Sequence, residues 1–248
     1  IRGYVRRPNT IEYELLGETK MTESGTAAAN AGRVAAASDD SGNIYAVWHD
    51  DGDGSRRQLY FAEFDSATGW SDPFLLVSDE FGAQNPDIAV DGNGIIYIVF
   101  ETLQSDYTDL AVIQRTSEGW SDPYLIASDE GDSVNPAIAI DRNNTVCVVW
   151  ENHRFIEPEI FFAQRVSSNG QWESSAFGRK DLRITNSPAG AYRPSIAISG
   201  LTIAVSFTSF TKDGNSQIYV AIHGGEGGRT LTSAAQSALA RYTDAEVV

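Results

Sequence analysis

Short apolar runs alternate with clusters of Gly, Asp, Asn, Ser and Pro, and residues 30–225 carry no sustained helical periodicity. The stretch 86–127 shows the rule. Residues 86–90 are mostly apolar, with a proline at the first position of the strand, where its missing N–H is tolerated. Asp91-Gly92-Asn93-Gly94 supplies residues that accept positive φ in a tight turn. Residues 95–100 are almost wholly apolar, as expected of a strand covered on both faces. A polar loop over 102–108 leads to a third strand at 109–115, and Ser117-Glu118-Gly119 turns the chain into a fourth at 120–127. The one helix candidate is 232–241, Ala-rich but short.

The unit repeats. Asn85-Pro86-Asp87-Ile88-Ala89-Val90-Asp91 returns 50 residues later as Asn135-Pro136-Ala137-Ile138-Ala139-Ile140-Asp141. It returns again as Arg193-Pro194-Ser195-Ile196-Ala197-Ile198-Ser199, with a degenerate earlier copy beginning at Arg33-Val34-Ala35. Tyr45-Ala46-Val47-Trp48 recurs as Tyr97-Ile98-Val99-Phe100 and Cys147-Val148-Val149-Trp150, and more loosely from Ile203. Gly69-Trp70-Ser71-Asp72-Pro73 recurs as Gly119-Trp120-Ser121-Asp122-Pro123 and weakens at Gly170-Gln171-Trp172. Three elements in one order at one spacing predict an all-β fold, a β-propeller of four-stranded antiparallel blades. About four complete blades are expected in a single domain spanning 1–248, at roughly 32–79, 80–129, 130–186 and 187–225. Residues 1–31 and 226–248 are left as terminal strands, with 11–21 reading as an outer strand and 241–248 as the start of an inner one. Either the ends form a composite fifth blade, or the chain is a fragment of a six- or seven-bladed ring.

The order of inner strand, Asp-x-x-Gly turn, Tyr-x-Val-Trp strand, Ile-Phe-Phe-Ala strand and Gly-Trp-Ser-x-Pro resembles the sialidase-like propellers with BNR (Asp-box) repeats. The segments that match the box are Asp65-Ser66-Ala67-Thr68-Gly69-Trp70, Thr116-Ser117-Glu118-Gly119-Trp120 and Ser167-Ser168-Asn169-Gly170-Gln171-Trp172, in which Gly and Trp persist and the defining Asp has slipped or vanished. The resemblance covers about 190 residues. It implies a propeller and, for catalytic members, three arginines holding a carboxylate, a Tyr–Glu nucleophile pair and an Asp acid/base. Arg33 lies where the first arginine is expected but lacks the following Ile-Pro, and neither a third arginine nor an assignable Tyr–Glu pair emerges.

Composition narrows the partners. With 34 acidic and 18 basic residues, the net charge is 18 − 34 = −16. That disfavours nucleic acid and anionic membrane surface, and no apolar run is long enough to insert in a membrane. The single cysteine, Cys147, excludes an internal disulfide and a thiolate zinc cluster. The chain opens with Ile1, so a processed or excised piece of a longer chain with further domains is expected, any signal peptide being already removed.

The loops joining second to third strands share a face with the inner-strand entries, and they are acidic: Asp50, Asp51, Asp53, Asp79, Glu80, Glu101, Asp106, Asp129, Glu130, Asp132, Glu151 and Glu157. Asp50-Asp51-Gly52-Asp53-Gly54-Ser55 alternates oxygen ligands with glycine, as a Ca²⁺ loop requires, without the distal Glu of an EF-hand. No cofactor is required by any other motif. Arg33, Asn85, Asn135 and Arg193 fall at equivalent entry positions and form the candidate ligand site; Trp70 and Trp120 read first as blade packing, with sugar stacking as the runner-up. No catalytic residue is assigned. The sequence therefore reads as a non-catalytic extracellular or cell-envelope propeller module that binds a glycan or protein or serves a structural role, the alternative being a sialidase-type glycoside hydrolase or part of one.

Overall fold

The computed structural model describes residues 2–6, 13–18, 21, 31–51, 56–78, 81–103, 106–127, 131–165, 172–173, 181–200, 202–211 and 213–223. The helix candidate at 232–241, the inner strand read at 241–248 and Asp53 lie outside them. All regular structure among the described residues is β, and no helix is long and apolar enough to cross a membrane.

A two-stranded ribbon, β1 (Arg2–Arg6) and β2 (Tyr13–Glu18), comes first. Four sheets follow in chain order. The first holds β3 (Val34–Ser38), β4 (Ile44–Asp50), β5 (Gln58–Asp65), β6 (Gly69–Trp70) and β7 (Phe74–Val77). The second holds β8 (Ala83–Val90), β9 (Ile96–Thr102), β10 (Asp109–Thr116), β11 (Gly119–Trp120) and β12 (Tyr124–Ala127). The third holds β13 (Ser133–Ile140), β14 (Val146–Asn152), β15 (Glu159–Arg165), β16 (Trp172–Glu173) and β17 (Leu182–Arg183). The fourth holds β18 (Ala191–Ser199), β19 (Thr202–Phe210) and β20 (Ser216–His223). Every pairing is antiparallel between neighbours, as in propeller blades, and the four sheets do not close on one another.

The expected single fourth strand is two pieces. β6 and β7 both pair with β5, and β11 and β12 both pair with β10. The break falls at Ser-Asp-Pro, where Pro73 and Pro123 cannot donate to the ladder. The inner strands begin two to three residues before the X-Pro step, because that step is a bulge rather than a strand start.

Alternation assigns each strand's side chains to one of two neighbours. Val47, Leu59 and Phe61 of the first blade meet Ile96, Ile98 and Phe100 of the second. Tyr97, Val99, Leu110 and Val112 then meet Val146, Val148 and Trp150 of the third. Cys147, Val149, Ile160 and Phe162 meet Ile203, Val205 and Phe207 of the fourth. The central strands β9 and β14 are buried at all seven positions, which explains their unbroken apolar runs. On the far side of the first blade, Ala46, Trp48 and Ala62 are covered in part by Met21.

Phe61 is at the centre of the first joint. Its ring meets Trp120 edge-on at 5.1 Å and Phe74 at 5.6 Å, with the Arg115 guanidinium 5.5 Å from its centroid. Phe61→Ala is expected to lower unfolding free energy by about 3–5 kcal/mol, measured as a shift in urea midpoint at unchanged slope.

Candidate functional site

The residues at the blade entries do more than repeat. Asn85, Asn135 and Arg193 each have left-handed backbone, with φ of 49°, 54° and 51°. Each precedes a proline, which disfavours the right-handed helical region for the residue before it, and each sits in a bulge of its inner strand. The bulge frees one N–H from the ladder. That N–H is taken by the preceding blade: Asn85 donates to His49 Nδ1 at 3.1 Å, Asn135 to Glu101 Oε1 at 2.8 Å and Arg193 to Glu151 Oε2 at 3.0 Å. His49, Glu101 and Glu151 follow Trp48, Phe100 and Trp150, so they are one repeat position. A backbone bond lies beside each joint, from Ala83 to the Arg57 carbonyl, Ser133 to Thr108 and Ala191 to Pro158, at 2.7–2.8 Å.

The two carboxylates are occupied from both sides. Glu101 also accepts the side-chain amides of Gln84 (3.0 Å) and Asn85 (2.9 Å), and Glu151 accepts Asn135 Nδ2 (3.2 Å) and faces His153 Nε2 (2.7 Å). Glu101 is only 1% exposed. Burial pushes its carboxyl above the ordinary range, against the pull of these three donors and of Arg33. Asp87 is pushed up the same way by burial and accepts the Ile138 N–H of the next blade at 2.9 Å.

Arg33 has no bulge and no left-handed φ, so it departs from the other three entries. Its guanidinium reaches from the first blade to the Pro136 carbonyl of the third at 3.4 Å. Arg33 and Arg193 are both exposed, whereas the carboxamides of Asn85 and Asn135 are held by the carboxylates of their own blades. Trp120 packs on Phe61 of the preceding blade, and Trp70 lies against Phe64 at 5.5 Å beside Met21 and Trp48. Of the calcium candidates, Asp50 ends β4 as a buried residue and Asp51 follows half-buried. Among the described residues no group of three His, Cys, Asp or Glu is placed to hold a metal ion.

Two features had no sequence signal. His49 serves where its repeat partners are glutamates, and Gly32 leaves it room: a Cβ there would lie 1.8 Å from the imidazole Nε2. Tyr192 brings its hydroxyl to 3.5 Å from Glu157 Oε2. Burial, then Glu157, Glu151 and Glu159, raises the pKa of that phenol and holds it protonated.

On the same face a cleft of about 700 Å³ opens between the first and second blades. Arg56, Arg57 and Phe81 line one part, and Gln84, Thr102 and Leu103 another, with Glu101 also in the lining. Arg57 is hydrogen-bonded to Gln84, which in turn donates to Glu101. Thr102 carries a buried hydroxyl with no hydrogen-bond partner, while Phe81 and Leu103 present large apolar surface.

No family model matches the chain, and no curated protein matches it. Solved structures do. A protein of unknown function from Dyadobacter fermentans superimposes with a TM-score of 0.60 at 13% identity, over 88% of this chain and 65% of its own. The Hadza microbial sialidase Hz136 gives 0.56 at 11% identity, over 81% of this chain and 47% of its own. The Penicillium chrysogenum α-L-arabinanase, complexed with arabinobiose, gives 0.59 at 10% identity, over 81% and 64%. The fold is a β-propeller, as in the sialidase and the arabinanase. This chain thus spans less than two thirds of each of these proteins, and at such identities the likeness extends to the fold alone.

Two outcomes follow from the joints of this propeller. Burial first, then nearby Arg57, lowers the His49 pKa below its usual value. The neutral ring's contribution is therefore complete above pH of about 6.5 and is lost as pH falls toward the folded value. His49→Gln keeps an acceptor for the Asn85 N–H at every pH, so melting temperature should fall less steeply below pH of about 6.5 than in the parent. The difference between the two curves isolates the ring from Glu101, whose raised pKa acts in the opposite direction. At Asn135, Ala should be about 1 kcal/mol less stable than Gly in urea unfolding, since both lose the Glu151 contact but only Ala strains at positive φ.

Proposed function

We propose that this propeller is a glycan-binding module working outside the cell or at its envelope, and that it binds in the cleft between the first two blades. One observation carries the reading: the cleft combines apolar surface at Phe81 and Leu103 with polar groups at Arg56 and Arg57. A sugar ring offers the matching pair of an apolar face and a hydroxyl edge. The neighbouring carboxylates support binding over turnover. Glu101 already accepts three N–H donors and is buried, so it has no free oxygen to exchange a proton with a substrate.

A second reading, glycoside hydrolysis, draws on the sialidase and arabinanase among the similar structures and on the Tyr192–Glu157 contact. A nucleophilic phenol has to be activated toward its anion, and the surroundings of Tyr192 push the other way.

One experiment separates them. A glycan array probed with the labelled protein is expected to give selective binding, weakened at least about tenfold by Phe81→Ala and by Arg56→Ala, which is ~1.4 kcal/mol or more for each. Fluorogenic sialoside and arabinofuranoside should be left intact. Release of the fluorophore, abolished by Tyr192→Phe, would overturn the binding-only reading, and binding indifferent to both cleft variants would place the ligand elsewhere.

A further inference from the structure

We infer that the open face of the fourth blade is the contact through which two copies of this chain associate, face to face, about a two-fold axis. In the first three blades the third strand carries a pair of apolar residues that the next blade buries: Leu59 and Phe61, Leu110 and Val112, Ile160 and Phe162. The matching residues of the fourth blade are Ile218 and Val220, set opposite Thr208 and Ser206. These two are 72% and 51% exposed, and Ile222 beyond them is 67% exposed. Three branched apolar side chains in a row continue the surface by which neighbouring blades pack; they are not scattered surface hydrophobics.

Two features fit this face to a second copy and not to another blade of the same repeat. The joint is not carried on to it. Where His49, Glu101 and Glu151 receive the next entry N–H, the fourth blade has Thr208, with neither a carboxylate nor an imidazole. Charge is the second feature. The strands of each of the first three sheets bear acidic side chains, among them Asp50 and Glu63, Asp87 and Glu101, Glu151 and Glu159. β18, β19 and β20 bear none. Copies of a chain with net charge −16 repel one another, and they approach at least cost where no carboxylate faces the contact.

The face is also self-complementary. Ile196, Ile198, Val205, Tyr219 and Ala221 pack toward the third blade, so alternation turns their neighbours outward. Ile218, Val220 and Ile222 then form a ridge along β20, beside a floor of Ser195, Ala197, Ala204 and Ser206 on β18 and β19. A two-fold axis parallel to the strands and above β19 lays the ridge of each copy on the floor of the other, the isologous arrangement of a closed dimer. Register sets Val220 level with Ser206 and Ser195, and Ile222 level with Ala204 and Ala197. Val220 therefore meets Ser195 of the other copy, and Ile222 meets Ala197. A face of three strands and eight residues measures about 14 Å by 27 Å. That is small for a permanent assembly, so the dimer forms at micromolar concentrations or above.

Sedimentation of the full chain from about 1 to about 300 µM tests this. The mass should rise from one chain to two with concentration. Added salt should strengthen the association, by screening the repulsion between like-charged copies while leaving an uncharged contact intact. Val220→Glu on the ridge and Ala197→Glu on the floor should each weaken it at least about tenfold. Both positions are exposed, an unchanged near-UV spectrum checks the fold, and either variant serves if the other does not fold. Ile156→Glu, at a wholly exposed position on a loop of the third blade, should leave the association unchanged. Four results would overturn the assignment: a one-chain mass throughout the range, a dimer indifferent to the ridge and floor variants, a dimer weakened by salt, or a mass growing past two chains, which would mark open-ended pairing at the β20 edge.

Discussion

The architecture depends on one hydrogen bond made three times: the N–H of a left-handed entry residue, donated to an acceptor at the end of the previous blade's second strand. Blades otherwise touch through apolar faces, and apolar contact is non-directional. It would tolerate sliding or a change of tilt between neighbouring sheets. The joint does not. An entry N–H lifted out of its own ladder by a bulge and left buried without a partner costs about 1–3 kcal/mol, so each blade is held to the position where His49, Glu101 or Glu151 meets it. The adjacent backbone bonds at Ala83, Ser133 and Ala191 fix the same level a second time. Because Asn85 and Asn135 also bond the glutamate of their own blade, the three joints connect into one path across four blades.

This arrangement changes what the acidic composition means. Counted along the chain, Glu101, Glu151 and Asp87 add to a large negative charge. In the fold they face inward to N–H groups and, for Glu101 and Asp87, burial raises the carboxyl pKa. Asp132 is likewise drawn into a loop, accepting the Thr108 N–H at 2.8 Å. On the opposite face, Asp39, Asp91 and Asp141 cap the turns between first and second strands, each accepting the N–H groups two and four residues ahead. These seven acid groups are therefore structural wiring, and the cleft lining bears Arg56 and Arg57 beside the buried Glu101.

The repeat was legible because it is written in residue types: X-Pro, an apolar four, a Gly-Trp turn. Strand existence followed directly from it. What the residue types do not show is geometry that depends on two blades together. Asn85, Asn135 and Arg193 could be aligned as equivalents, yet their left-handed backbone comes from the bulge, and Arg193 reaches it with a side chain that no turn rule favours. His49 was invisible as a joint because it shares neither charge nor shape with Glu101. Arg33 aligns with the other entries by position alone, and in the fold it extends toward Pro136 with no bulge behind it. The acidic loops read as one surface because a carboxylate's burial cannot be counted from sequence. Trp120 shows the reverse: repetition suggested packing, and the ring is indeed against Phe61.

A carboxylate cannot readily be both a joint and an acid/base. Proton transfer requires a group whose two protonation states cost nearly the same and whose oxygen meets the substrate. Glu101 fails on the second count, because its oxygens face three N–H donors of the protein. Glu151, tied to Arg193, Asn135 and His153, is constrained in the same way. In this propeller the carboxylates at the ends of the second strands are given to holding blades in place. On the proposed reading, recognition falls to cleft residues outside these bonds. Arg56, Phe81 and Leu103 line that cleft, and none of them donates or accepts the joint bonds of Asn85, Asn135 or Arg193.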